Sequence, residues 1–216
     1  MKIDHIFMGS ETPDEHVKIL VDFGLTEGES NSHPQQGTAV RRFFFENSYF
    51  EFLYISNLSD IKSPTTRPAQ YFERITANDN QTSPFAICFR PGGNSLDFSN
   101  YKSWIYRPKF LPHPFKMDIY GHKLSDPMLC YMGFVSDESF KKRIPQRHQI
   151  GFKDITLLRI LSPYADLDSK LKQDLNKSEL VKFKHNATHT IELTFDDAKQ
   201  NKTHDFRPQL PIIFKW

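Results

Sequence analysis

The chain has 216 residues, enough for one sizeable core or for two small modules sharing a core. Lys and Arg number 28 against 26 Asp and Glu, a formal net charge of +2, so no long-range field argues for nucleic acid or an anionic membrane as a partner. No window approaches the roughly 18 consecutive apolar residues of a membrane span. MKIDHIFMG also lacks the basic and apolar regions of a signal peptide, so a soluble, cytoplasmic protein is expected.

Residues 2–8 (KIDHIFM) alternate as a strand does. SETPDE carries N-cap and proline-at-start signals, and EHVKILVDFG spaces its apolar residues as a helix does until Gly24 stops it. LTEGESNSHPQQG is rich in turn formers, and TAVRRFFFE and YFEFLYI flank Asn47-Ser48 as a hairpin. A β-α-β-β-β module over residues 1–57 follows. Phe contributes 20 residues, many in these strands, where aromatic rings pack well on a pleated surface.

From 58 to 147 the pattern loosens. Pro64, Pro68, Pro84, Pro91, Pro108, Pro112, Pro114 and Pro127 punctuate the short strand candidates PFAICFR, FKMDIYG and MLCYMGF, so the segment is expected to be a connector that covers the core. Cys88 and Cys130 lie inside apolar runs, as buried thiols in a reducing compartment would. Over 148–216 the first order resumes: FKDITLLRI as a strand, a helix capped by Ser162 with Pro163 at its first position, then LVKFKHN and HTIELTFDD as strands. The tail DFRPQLPIIFKW reads as a closing edge strand.

Strand parity places the chemistry. Pairing Phe45 with Phe50 across the hairpin puts Arg42, Phe44, Tyr49, Glu51 and Leu53 on one face, and Arg41, Phe43, Phe45, Phe50, Phe52 and Tyr54 on the other, which suits packing against a helix. His5 shares a face of the first strand with Ile3 and Phe7. An inward carboxylate at Glu51 needs a cation, a donor or a metal. One answer makes His5 and Glu51 ligands of a divalent ion with Glu192 of the repeat as a third, although Ile155 stands where the repeat should offer a fourth. The other makes His5 a hydrogen-bonded histidine in a binding cavity and Glu51 a partner of Arg42. His33, Gln36 and Thr38 of HPQQGT form a polar loop in which Gly37 allows close backbone approach. Trp104, with Arg90 and Arg107, offers an aromatic lid and an anion contact. There is no P-loop, Gly-x-Gly-x-x-Gly, Gly-x-Ser-x-Gly or Cys-x-x-Cys motif, which removes the commonest nucleotide, hydrolase and redox classes.

At IDHIFMG, GLTEGESNSHPQQGTAVRRFFFENSYFEFLYI and SPFAICFRP the chain resembles the glyoxalase-like branch of the vicinal oxygen chelate superfamily (glyoxalase, bleomycin resistance and dioxygenase proteins). The resemblance implies an α+β fold: two βαβββ modules whose curled mixed sheets enclose a shared cavity, often with a divalent metal held by the first and last strands of each module. By position His5 and Glu51 match the first metal pair and Glu192 half of the second, with Ile155 the departure. The implied function is small-molecule binding. It takes the form of a metal-dependent lyase or isomerase, in which the ion (Zn, Ni, Fe or Mn) polarises a carbonyl and Glu51 or Glu192 shuttles a proton. The alternative is a metal-free protein that binds or sequesters an oxygen-rich ligand through His33, Gln36, Thr38, Arg42 and Trp104. Family members often pair through open sheet edges, so a homodimer is the expected assembly.

Overall fold

The computed structural model describes residues 1–93, 96–141 and 147–216. The chain opens as expected, with β1 (Lys2–Gly9), α1 (Pro13–Phe23), β2 (Asn31–His33), β3 (Thr38–Phe44) and β4 (Tyr49–Ile55). Pro13 begins α1, Asp14 and Glu15 place negative charge in its first turn, and Gly24 ends it at φ +113 by donating to the Leu20 and Val21 carbonyls. Then come α2 (Leu58–Ile61), α3 (Tyr71–Ile75), β5 (Phe85–Arg90), β6 (Trp104–Tyr106), β7 (Met117–Tyr120), β8 (Met128–Tyr131) and α4 (Asp137–Lys141). The last part is β9 (Ile155–Ser162), α5 (Lys170–Lys177), β10 (Val181–His185), β11 (Thr190–Phe195), β12 (Thr203–Asp205) and β13 (Ile212–Lys215).

The architecture is mixed α+β with a curled sheet. Eight strands run in the order β2-β3-β4-β1-β5-β8-β7-β6, and five more form a second sheet in the order β10-β9-β11-β13-β12. The segment 58–147 therefore does more than cover the core. Its strands pair antiparallel onto β1 through β5 and complete the large sheet, whereas residues 155–215 build a sheet of their own. The prolines that interrupt this segment fall between its strands, so each short piece keeps its ladder hydrogen bonds.

Three local details differ from the sequence expectations, each for a stated reason. The hairpin pairs Arg42 with Glu51, Phe43 with Phe50 and Phe44 with Tyr49, two residues away from the expected register. Two residues are one full pleat period, so every side chain keeps its expected face. On β1, Ile3 opposes Phe89 and His5 opposes Cys88, which leaves Asp4 as an extra residue in a β-bulge. The bulge reverses parity, so Ile3 joins the core between the sheets while His5 and Phe7 face the other way. Finally, β9 stays paired with β10 as far as Ser162, and α5 begins only at Lys170, where Ser169 Oγ accepts from the Lys172 amide at 3.2 Å. In the tail, β13 lies between β11 and β12, so β12 is the edge.

Both faces of the large sheet are buried. Ile6, Met8, Phe43, Phe50, Phe52 and Phe89 pack with α1 and with Leu158, Ile191 and Phe214 of the small sheet. On the opposite, concave face Phe7, Val40, Leu53, Cys88 and Ile119 pack against Ile61, Tyr71 and Ile75 of the 58–75 segment. Cys88 and Cys130 are free thiols, both buried. Among the described residues no helix is long and apolar enough to cross a membrane.

Gly37 fixes the HPQQGT loop onto this frame. Its φ is +79, its carbonyl accepts from Ser56 and Asn57, and an added Cβ would lie 2.3 Å from the Asn57 carbonyl oxygen and 2.4 Å from the Ile61 nitrogen. Since those neighbours are backbone atoms, Gly37→Ala should cost at least about 2 kcal/mol of unfolding free energy. Urea denaturation measures it, and a cost below about 0.5 kcal/mol would show that the loop accommodates the methyl group.

Candidate functional site

A cavity of about 220 Å³ lies on the concave face, lined by His5, Glu51, His33, Gln36, Arg42 and Cys88 among others. His5 comes from the middle of β1, Glu51 from the parallel neighbour β4, and Cys88 from the antiparallel neighbour β5. The bulge does the positioning. It brings the Asp4 carboxylate, fully buried, to 2.7 Å from His5 Nδ1. On one side the His5 ring stacks on Tyr49 with centroids 4.7 Å apart, and Nε2 lies 3.8 Å from Glu51 Oε1. Behind Asp4, Arg90 Nε is 3.7 Å from Oδ2, and the same guanidinium bonds to Asp137 and covers the Phe140 ring.

These charges set the protonation of His5. Burial opposes the imidazolium, while the neighbouring Cys88 sulfur, Glu51 and Asp4 favour it, and the balance lies well above the ordinary value of 6.5. Burial first, then the hydrogen bond to Cys130, push the Cys88 thiol up, against the charge and hydrogen bond of His5, which lower it.

The HPQQGT loop supplies a linked set of polar groups at the cavity. Tyr106 OH donates to Gln36 Oε1 at 2.9 Å, which orients the amide so that Nε2 donates to Thr38 Oγ1 at 2.8 Å. The Thr38 hydroxyl is then left to donate to His33 Nδ1 at 3.0 Å, and the proton of the neutral ring sits on Nε2. His33 stacks on Phe110 with centroids 4.7 Å apart. Burial first, then the positive charges of His5 and Arg42, lower its pKa to about 4. Arg42, although directly across from Glu51 in the ladder, turns its guanidinium to the Glu29 and Ser30 carbonyls at 2.7 and 3.4 Å and lies over Phe44.

Two expected site residues are elsewhere. Glu192 is on β11 of the small sheet, opposite Arg159, to which it is ion-paired, and 2.7 Å from Lys215 Nζ. It is not brought to His5 and Glu51, because the residues after 155 form a separate sheet, and Ile155 is in the core between the sheets. Trp104, on β6, lines a different cleft and stacks on His122. Arg107 is exposed. The neighbours that face His5 in the large sheet are instead Cys88 and, one strand further, Cys130. Among the described residues no three His, Cys, Asp or Glu side chains are grouped so as to hold a metal ion. Of the three expected donors, His5 and Glu51 line one cavity and Glu192 lies on the small sheet.

Asp4, Tyr49, Cys88 and Tyr106 belong to the site without having been expected there. The one signal available for Cys88 was its central place in the strand PFAICFR; Asp4 depends on a bulge that leaves no mark in composition.

Residues 3–97 match a family model described as a glyoxalase-like domain. Among solved structures, a hypothetical protein from Staphylococcus aureus aligns with a TM-score of 0.60 at 14% identity, over 99% of this chain and 98% of its own. A hypothetical protein from Bacillus halodurans C-125 aligns over 63% of this chain and 96% of its own, with a TM-score of 0.40 and 12% identity. The Staphylococcus likeness is one of fold. No curated protein matches the chain.

The depressed His33 pKa has a pH signature. With about 4 in the folded protein and 6.5 in the unfolded chain, acidification protonates the unfolded state first, so stability is lost as pH falls from 6.5 towards 4. Between pH 7 and 5 the wild type should lose about 2 kcal/mol more than His33→Gln, whose amide retains a partner for Thr38. Denaturant unfolding at the two pH values tests this; parallel losses would mean that His33 is not held neutral.

Proposed function

We propose, from the match of residues 3–97 to a glyoxalase-like domain and from the geometry of the cavity, that the protein binds a small, oxygen-rich molecule on the concave face without relying on a resident metal. The observation that carries this proposal is the spacing of His5 Nε2 and Glu51 Oε1. At 3.8 Å it is too long for a hydrogen bond, and a ligand oxygen that approaches both meets a donor on one side and an acceptor on the other. A hydroxyl group satisfies that pair; a neighbouring carbonyl or carboxylate oxygen then meets His33 Nε2 and Arg42 at the same cavity. The volume of about 220 Å³ suits a compact molecule of few carbon atoms, and Phe7, Leu53, Met117 and Phe134 supply its apolar wall.

A second function, proton transfer in a lyase or isomerase, is favoured by one specific feature. Asp4 fixes the ring and tautomer of His5 from behind, as the third member of an acid–base arrangement does, and leaves Nε2 beside Glu51. In that reading Glu51 takes a proton from a carbon adjacent to a carbonyl, and His5 donates to the oxygen on which charge develops.

A thermal-shift screen of small α-hydroxy and α-keto carboxylates and of catechols tests the binding proposal. Compounds that raise the Tm of the wild type should bind His5→Gln and Glu51→Gln at least tenfold more weakly. Equal affinity in both variants would remove the pair from the site. Elemental analysis after reloading with zinc, nickel, iron or manganese tests the metal: well under one-tenth equivalent is expected, and one equivalent that disappears in both His5→Ala and Glu51→Ala would restore the metal-dependent alternative.

A further inference from the structure

A second and larger cleft, of about 570 Å³, shares no lining residue with the cavity around His5. It opens where the outer strands β6 to β8 meet the start of α5 and the turn before α3. Its size falls in the range of roughly 300–1,000 Å³ typical of small-molecule sites. Ile119, Met128 and Leu129 give it an apolar floor, and Trp104, stacked on His122 with centroids 6.0 Å apart and planes within 20°, gives it an aromatic wall.

The polar lining is unbalanced in one direction. Five Lys and Arg side chains meet two Asp side chains. Both carboxylates are already engaged: Lys172 lies 2.7 Å from Asp126 and 2.9 Å from Asp168, and Lys123 lies 2.5 Å from Asp168. Lys170 pairs with Asp174 outside the cleft, so the excess positive charge rests on Arg74 and the exposed Lys102. Two of the lining side chains also carry buried nitrogens with no hydrogen-bond partner, Arg74 Nε and Trp104 Nε1. Arg74 is only 3% exposed; its Nη1 donates to the Ser83 and Asp126 carbonyls at 2.8 Å and its Nη2 to the Lys123 carbonyl at 3.4 Å. Buried donors are seldom left unpaired, and here two such donors, a cationic excess and an aromatic wall belong to one cleft. Both nitrogens are covered by their neighbours, so an acceptor reaches them with a small shift of the side chains at the wall.

We infer that this cleft is a binding site for a small aromatic carboxylate, its ring against Trp104 and the apolar floor, its carboxylate turned to Arg74, Lys102 and the Trp104 indole N–H. The inference is independent of the proposed function of the His5 cavity.

NMR titration of the ¹⁵N-labelled full chain with 2-naphthoate tests it, with 2-naphthol as the neutral analogue. The chain has two tryptophans, and Trp104→Phe assigns their indole N–H signals. The Trp104 indole proton should move downfield saturably while that of Trp216 and the amides of Glu51 and Cys88 stay in place. Lys102→Glu, a change at an exposed residue, should weaken binding at least tenfold, and 2-naphthol should bind at least tenfold more weakly than 2-naphthoate. The inference is overturned if the Trp104 signal is unmoved at millimolar 2-naphthoate, if both indoles shift alike, if the neutral analogue binds equally, or if Lys102→Glu leaves the affinity unchanged.

Discussion

The contact between Asp4 and His5 is the constraint on which the site depends. It exists because β1, central in the large sheet between β4 and β5, carries one residue more than its partner at Asp4. In a regular strand adjacent side chains point to opposite faces, and Asp4 would be driven into the core between the sheets. The bulge lets it lie beside His5 and sends Ile3 to that core instead. A carboxylate so deeply buried is tolerable only with cations and donors around it, and His5 on one side and Arg90 on the other meet that need. Asp137 then joins Arg90 and Lys2, so a chain of ionic contacts runs from the cavity to the segment at α4.

The layering explains why the cavity is where it is. A sheet packed on both sides normally closes up, and the burial of every residue of β5 shows how far that goes here. The convex face achieves it with large rings, Phe43, Phe50, Phe52 and Phe89, against the small sheet. The concave face is covered by shorter pieces, α2 and α3 and the loops after β6 and β8, which pack on part of it and leave space over His5, Glu51 and the HPQQGT loop. Those loop groups are rigid because Gly37 docks the turn on Asn57 and because Tyr106, from the far edge of the sheet, fixes Gln36. A polar cavity wall built from bonded side chains holds its donors in place before a ligand arrives.

How much of this was legible in the chain follows from the range of the interactions. The β1–α1–β3–β4 unit is local, with strong period-two and helical patterns. The faces of Arg42, Tyr49 and Glu51 were therefore readable even though the register was off by two. His5, His33, Gln36, Arg42 and Glu51 line one cavity, and Thr38 is hydrogen-bonded to His33 and Gln36 of that set. What failed is non-local. That β5 to β8 extend the first sheet and β9 to β13 do not is a matter of which edge a strand finds, and a repeated order of elements does not specify it. Cys88 opposite His5, Trp104 in a separate cleft and Glu192 in the other sheet all follow from that one choice.

The two buried glutamates then show why position in a repeat is poor evidence of role. Glu192 and Glu51 both sit on strands, both are nearly inaccessible, and both face a basic residue across the ladder. Arg159 reaches Glu192 directly and Lys215 adds a second cation, so that carboxylate is committed to holding β9, β11 and β13 together. Arg42 instead donates to two carbonyls of the loop after α1, and Glu51 lines the cavity with His5 Nε2 at 3.8 Å. A carboxylate locked by two direct ion pairs has little to gain from a further partner. Glu51 lines the cavity beside His5, and that placement separates the candidate functional glutamate from the structural one.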